Sequence, residues 1–401
     1  MTESQHDQPR TTKKLRTNSE FNGRSQSDVI KLSYVEFYSG IGGWTMALED
    51  AIANVPGINY ELHRLAALDH SDLCTNVFQH NFGTDPKSFS IEKLTLKQLE
   101  DWNATIWAMS PPCQPHTRQH ANQEADLQDP RSASFLHLLE LIESMKEESL
   151  PRLLFLENVV GFESSKSFQQ WIDALEKKNY QICSFHLNPT QVGLPNDRPR
   201  YFCVAVHACK TLPEGCSSPL ENLSTYWKAE PNDVLKGIPE LGVPLEVAEP
   251  HLPCISTFLD NTVDQTALQV PSEVSRGNAA WCFDTVTPKS RRSACFTRSY
   301  GRFIRGTGSV LYQDDSRDIH LIPPEEREFD PNWAKDMDLT KLRYFSGLEM
   351  ARLMGFSSSF SFPSNCTYRQ QWKLVGNSLN VRVASKVVEL GLRMMTMPKE
   401  T

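Results

Sequence analysis

The stretch "YVEFYSGIGGWTMALED", Tyr34 to Asp50, makes the architecture legible. It opens as a short apolar and aromatic run and turns on Gly40, Gly42 and Gly43. Trp44, Leu48, Ala51 and Ile52 then recur at the spacing of one helix face. Glycines between a strand and a helix let the backbone approach a ligand closely and aim amides at it. The spacing is G-x-G-G rather than G-x-G-x-x-G, so a nicotinamide-dinucleotide site fits poorly.

Outward from this turn the chain alternates. "LHRLAALD" reads as a second strand ending on Asp69, whose carboxylate is placed to accept both ribose hydroxyls of an adenosine-type cofactor. "SDLCTNVFQHNF" is a helix with Ser71 as N-cap. Helical "LTLKQLEDW", a strand "ATIWAMS", helical "SASFLHLLELIESMKEE", a strand "PRLLFLENV" and helical "SFQQWIDALEKKN" follow. "QICSFHL" and "RYFCVAV" close the series as paired strands. The pattern predicts an α/β fold with a doubly wound, mostly parallel sheet and helices on both faces. After about residue 208 the rhythm stops and prolines punctuate the chain, which indicates a smaller, irregular second domain. Helical pattern returns at "SGLEMARLMGF" and over "YRQQWKLVGNSLNVRVASKVVELGLRMM". The expected organisation is a tail over 1–30, a first domain over 31–207, a second over 208–364 and a C-terminal segment over 365–401 that packs back on the first.

Composition narrows the partners. A chain of 401 residues suits about two domains. The polar opening has no apolar leader segment, and no run reaches the length of a membrane helix, so a cytoplasmic protein is expected, with a nuclear share as the second location. None of the ten cysteines forms a C-x-x-C pair, which argues for reduced thiols and against a structural metal site. With a net charge of −8, nucleic-acid binding requires a local basic patch.

"SPPCQPHTRQ" sets Cys113 among Pro111, Pro112 and Pro115 on the loop after the strand "ATIWAMS". A buried structural thiol gains nothing from that bracket, whereas a nucleophile gains a loop of low conformational freedom. Glu157, in "LENV", lies at the same sheet edge, and the apolar "LLFL" before it places the carboxyl in a poorly solvated setting that favours its protonated form. "LPNDRPRYF" brings Arg198 and Arg200 onto one side of a strand, able to hold an oxyanion or a phosphate. These groups suit methylation of cytosine at carbon 5: a thiolate adds at carbon 6, a carboxylic acid steadies N3, and carbon 5 then attacks a sulfonium methyl.

With those residues in place, the chain resembles the cytosine-C5 methyltransferase family from residue 34 to its end. "FYSGIGG", "SPPCQP", "LENV", "RPRYF", "RYFSGLEMARLMGF" and "LVGNSLNV" stand in the family's order. The resemblance implies a Rossmann-like sheet that binds S-adenosylmethionine and releases S-adenosylhomocysteine, with a smaller target-recognition domain. It implies that Phe37, Gly40, Ile41, Gly42, Gly43, Asp69, Ile91, Glu92, Ser110, Asn377 and Ser378 line the cofactor. It makes Cys113 the nucleophile, Glu157 the N3 acid, and Arg198 and Arg200 helpers around a base turned out of its stack. "PPCQPHT" and the "CFT" element at Cys295 resemble the branch that methylates cytosine 38 of aspartate tRNA, with His116 where that branch carries Phe. Lys289, Arg291, Arg292, Arg298, Arg302 and Arg305, interleaved with Phe296, Tyr300 and Phe303, form the basic run expected to contact RNA. The expected partner is tRNA, with weak DNA binding and a monomeric chain. A DNA cytosine-C5 methyltransferase and a cofactor-binding RNA scaffold without turnover stand as the competing readings.

Overall fold

The computed structural model describes residues 29–56, 58–83, 87–112, 132–208, 224–230, 232–314 and 337–395. Residues 1–28 of the expected tail over 1–30, and Cys113, lie outside the described residues, and β1 begins at Ile30 within the expected tail.

Eight strands form the main sheet: β1 (Ile30–Phe37), β2 (Tyr60–Asp69), β3 (Lys87–Ser88), β4 (Ile106–Met109), β5 (Leu153–Val159), β6 (Tyr180–Leu187), β7 (Arg200–His207) and β8 (Val234–Leu235), in the order β3-β2-β1-β4-β5-β7-β6-β8. β1 pairs in parallel with β2 and β4, and β4 with β5, whereas β7 runs antiparallel between β5 and β6. The expected closing pair is therefore a hairpin that inserts its second strand into the sheet.

Side chains along β4 and β5 alternate between two cores, as a two-residue period demands. Ile106, Ala108, Leu153 and Phe155 join Trp44, Leu48 and Val383 on one face. Trp107, Met109, Leu154 and Leu156 join Leu99, Phe135, Leu138 and Trp171 on the other. Helix α1 (Gly43–Asn54) covers the first face; α3 (Leu96–Trp102), α4 (Ala133–Ser144) and α5 (Lys166–Lys177) cover the second. α2 (Asp72–Phe82) follows β2, with Ser71 Oγ accepting the Cys74 amide at 3.4 Å as its N-cap. By the same alternation Glu157 shares the face of Leu153 and Phe155.

The later chain covers that face. After short helical turns α6 (Ser224–Trp227), α7 (Gln265–Leu268) and α8 (Ser272–Ser275) come β9 (Asp284–Val286), β10 (Ser309–Tyr312) and β11 (Leu342–Arg343), a second sheet in the order β11-β10-β9. Its Val286, Phe296, Val310 and Phe345 belong to the same apolar cluster as Trp44, so one core runs through both parts. β8, beyond the expected boundary at 207, adds to the edge of the main sheet beside β6.

Helix α9 (Gly347–Leu353) starts on a reciprocal Ser346–Glu349 cap, and Arg343 grips the same buried carboxylate through two bonds of 2.8 and 2.7 Å. The long C-terminal helical pattern is two helices, α10 (Tyr368–Asn377) and α11 (Val381–Met395), with Asn380 Oδ1 accepting the Val383 amide at the second start. α11 is buried on nearly every side against α1, β5 and β7.

Candidate active site at the carboxyl edge of the main sheet

The glycine turn owes its shape to three left-handed residues, Tyr38 (φ 55°), Gly40 (φ 51°) and Gly42 (φ 86°). Gly42 and Gly43 are packing glycines: a Cβ would stand 2.2 Å from Phe82 Cε2 at the first and 2.9 Å from Leu379 Cγ at the second. Gly40 differs. A Cβ there meets nothing nearer than the Tyr38 carbonyl at 3.9 Å, so the turn opens outward at this position. Phe37 is 0 % exposed, edge-to-face with Trp107, and Ile41 is buried in the core of the α1 face. Strand alternation sends the Phe37 side chain into the core beneath α3 and α4. The aromatic residue at the turn is Tyr38, whose hydroxyl donates to Ser134 Oγ at 3.1 Å.

Glu36 escaped the sequence reading, although a carboxylate inside an apolar strand was its visible signal. It is buried beneath the start of α1, accepting the Trp44 and Thr45 amides at 3.1 Å each and the Thr45 hydroxyl at 2.6 Å. Burial pushes its pKa up to about 7, against the pull of those hydrogen bonds.

Asp69 stands at the end of β2, as expected. Its Oδ2 accepts the Gly40 amide at 2.9 Å and its Oδ1 the Ser71 amide at 2.8 Å. Each oxygen keeps a further lone pair for a diol. Burial, followed by the Asp69 charge, pushes the Cys74 thiol up to about 12. The chain bends back over Asp69 through a Phe89 amide bond to its carbonyl, and the single 3-10 turn Ile91–Lys93 follows. Ile91 is buried in the core, whereas Glu92 is exposed and acts on the Tyr38 hydroxyl. Ser110 Oγ accepts the Trp44 indole N–H at 3.0 Å. Asn377 and Ser378 lie at the end of α10 rather than at a helix start, since the chain breaks there before α11. Ser378 Oγ is 3.3 Å from the Cβ position of Gly43, so this break abuts the glycine turn.

Next along the edge is a cluster drawn from four distant segments. Antiparallel pairing sets Val159 opposite Arg200, and Arg200 Nε lies 3.6 Å from Glu157 Oε1. The Arg200 guanidinium is thus a neighbour of Glu157 that its apolar strand did not announce. Arg198 is buried. Its Nη1 donates to the Phe296 carbonyl at 2.7 Å and its Nη2 to the Ser378 and Gly376 carbonyls at 2.7 and 3.2 Å. Burial, with Arg200 adding to it, lowers the Arg198 pKa. Its Nε has no hydrogen-bond partner among the described residues.

Cys295 fills the gap between the two guanidiniums, 3.2 Å from Arg198 Nη1 and 3.6 Å from Arg200 Nη2. Burial opposes its thiolate, but the two arginines outweigh burial and hold the thiol below the usual range. Spacing alone could not reveal this contact, which joins positions about a hundred residues apart. Before Cys113 the chain is described as far as Pro112, and the Asn158 side-chain Nδ2 donates to the Pro111 carbonyl at 3.5 Å.

The basic run divides in two. Arg291 donates to the Leu252 carbonyl, and Arg292 pairs with Asp284 at 3.2 Å, so both serve internal contacts. Lys289, Arg298, Arg302 and Arg305 are exposed. Phe296 and Tyr300 are core residues and not stacking surfaces, because their rings pack on each other and on Phe345, Tyr344 and Trp372. Phe303 is exposed.

A doubly wound sheet with a glycine turn, an acidic residue ending β2 and a carboxylate–arginine pair on the next strands defines a methyltransferase-type α/β protein. Comparison carries this further. The family model described as C-5 cytosine-specific DNA methylase matches residues 32–390, and the chain belongs to that family. A Homo sapiens protein named tRNA (cytosine(38)-C(5))-methyltransferase is 31% identical over 90% of this chain and 98% of its own. A Dictyostelium discoideum protein named DNA (cytosine-5)-methyltransferase is 32% identical over 90% of this chain and 94% of its own. The crystal structure of S. pombe Dnmt2 methyltransferase superposes with a TM-score of 0.71 at 29% identity, covering 92% of this chain and all of that one.

Proposed function

We propose that this chain is an S-adenosylmethionine-dependent tRNA methyltransferase that modifies carbon 5 of cytosine 38 in the anticodon loop of tRNA(Asp), as a monomer in the cytoplasm with a nuclear share. The observation that carries this reading is the Glu157–Arg200 pair on the same edge as the glycine turn, in a chain whose relatives named for that tRNA position match 90% of it. The cofactor fits the residues present: Gly40 leaves open space above the turn, and Asp69 retains lone pairs for a ribose diol. When bound, S-adenosylmethionine supplies an electrophilic methyl group and leaves as S-adenosylhomocysteine.

The chain's own groups make carbon 5 reactive. The Cys113 thiolate adds to carbon 6 and Glu157 offers a proton to N3, so the ring electrons are pushed toward carbon 5. Arg200, anchored against Glu157, steadies the developing charge at O2. Loss of the carbon-5 proton to solvent, return of the N3 proton to Glu157 and departure of the thiolate restore the aromatic ring.

A second reading, DNA as the substrate, has its own support in the printed name of the Dictyostelium discoideum relative. The test is transfer of labelled methyl to a tRNA(Asp) transcript, to the same transcript with cytosine 38 changed to uracil, and to duplex DNA. Label on the unaltered tRNA alone, abolished by Cys113→Ala, is the expected result. Label on DNA alone overturns the tRNA reading in favour of the second.

A further inference from the structure

Phe303 is 57% exposed, one of three large apolar side chains so exposed among the described residues. A single surface Phe needs no explanation by itself. This one is held in place. The loop carrying it is closed at its neck by the Thr297 amide bonding to the Thr307 carbonyl at 3.0 Å. It is pegged from below by the Tyr300 hydroxyl, which donates to the Ser309 carbonyl at 2.6 Å and accepts the Phe345 amide at 3.0 Å. Gly301 packs so tightly on Trp372 that a Cβ would come within 2.4 Å of its ring. Phe303 thus projects from a braced loop, with the Thr307 hydroxyl bonded to its own carbonyl at 2.7 Å.

The Arg302 guanidinium lies 5.1 Å from the Phe303 ring centroid, a cation–π contact that occupies one face. Arg298 and Arg305 are exposed beside it, and no acidic residue stands between Asp284 and Asp314. The same loop begins at Cys295 and Phe296, which hold Arg198 beside the Glu157–Arg200 pair. Eight residues on, Phe303 lies no further than about 29 Å from Cys295 even for a fully extended chain. An exposed ring on a braced loop free of acidic residues, carried by the segment that meets Arg198 at Cys295 and Phe296, matches an unpaired base flanked by phosphates.

Resting on the reading of this chain as an RNA methyltransferase, we propose that Phe303, clamped by Arg302, is a stacking platform for an unpaired base of the RNA loop that presents the target cytosine. Arg298 and Arg305 take the neighbouring phosphates.

The first arm of the test is steady-state methylation of the tRNA transcript. Phe303→Ala raises KM about 5- to 100-fold, the range expected for one lost base stack, with the effect on KM rather than kcat. Phe303→Tyr, which keeps the ring, restores the wild-type KM. Arg305→Ala lowers the salt dependence of binding by about one unit of slope. The second arm reads binding without turnover, through the fluorescence of Phe303→Trp. Quenching by an RNA hairpin with an open loop, and not by fully paired RNA, is the expected outcome. An unchanged KM in Phe303→Ala, or equal quenching by paired RNA, overturns the platform. If wild type methylates no RNA while unpaired DNA quenches Phe303→Trp, the RNA reading fails and the stacking surface stands.

Discussion

The two halves of the candidate site are built in opposite ways. The glycine turn takes its shape locally, with Tyr38, Gly40, Gly42 and Glu36 within ten residues of one another, and Asp69, Phe82, Ser110 and Leu379 close against that shape. The arginine junction is long-range, joining Glu157 of β5, Arg198 and Arg200 before and in β7, Cys295 and Phe296 between β9 and β10, and Gly376 and Ser378 at the end of α10. A local site depends on backbone shape. A site assembled from four segments depends on every segment staying packed, so a change at its centre is felt through the whole fold.

The largest effect that follows is at Arg198. Arg198→Met keeps the volume but strands the carbonyls of Phe296, Gly376 and Ser378, and is expected to cost about 4 kcal/mol in chemical denaturation. If instead stability is untouched and only activity falls, the junction is not the fold's keystone and the contrast collapses. Two glycine variants probe the other half. Gly42→Ala forces a left-handed Ala against Phe82 and is expected to lose about 2–4 kcal/mol. Gly40→Ala, with open space for its methyl, should lose about 1–2 kcal/mol from backbone strain alone. Its larger effect falls on cofactor affinity, read by calorimetric titration with S-adenosylhomocysteine. Equal stability losses at the two glycines would erase the distinction between packing and ligand-facing positions.

The pH dependence of Glu36 probes the local half once more. Its folded pKa, near 7, lies above the ordinary value of 4.5, so the folded state binds the extra proton. Its contribution to stability is full below about pH 4.5 and is lost as pH rises through about 7. Glu36→Gln removes that slope, so the thermal midpoint of the variant should fall less than that of wild type between pH 5 and pH 8. A slope that survives the substitution points to another group.

Legibility follows the same division. Ser71 as an N-cap, the glycine turn, Asp69 at a strand end and Glu157 on β5 are all readable because each depends on period, turn chemistry or position within one element. Phe37 and Tyr38 show the limit: the residues are adjacent, and only the sheet decides that Phe37 packs edge-to-face on Trp107 while the Tyr38 hydroxyl donates to Ser134. The basic run shows another, since Arg292 and Arg298 look alike in sequence, yet Asp284 captures one and leaves the other at the surface. Phe296, Tyr300 and Phe303 share a composition cue, but two of them seal the core.

By itself, then, the sequence determined the α/β class, the order of the elements, the glycine turn and the candidate residues at the sheet's carboxyl edge, because these rest on short-range periodicity and backbone preference. Only the tertiary structure decided that Arg198 is a buried strut, that Cys295 sits between two guanidiniums, that the small sheet shares the first domain's core and that Phe303 alone of three aromatics is presented to solvent. Those facts come from contacts between residues up to about 180 positions apart, and the free energy of such contacts depends on which surfaces meet and exclude water, a property no single segment carries.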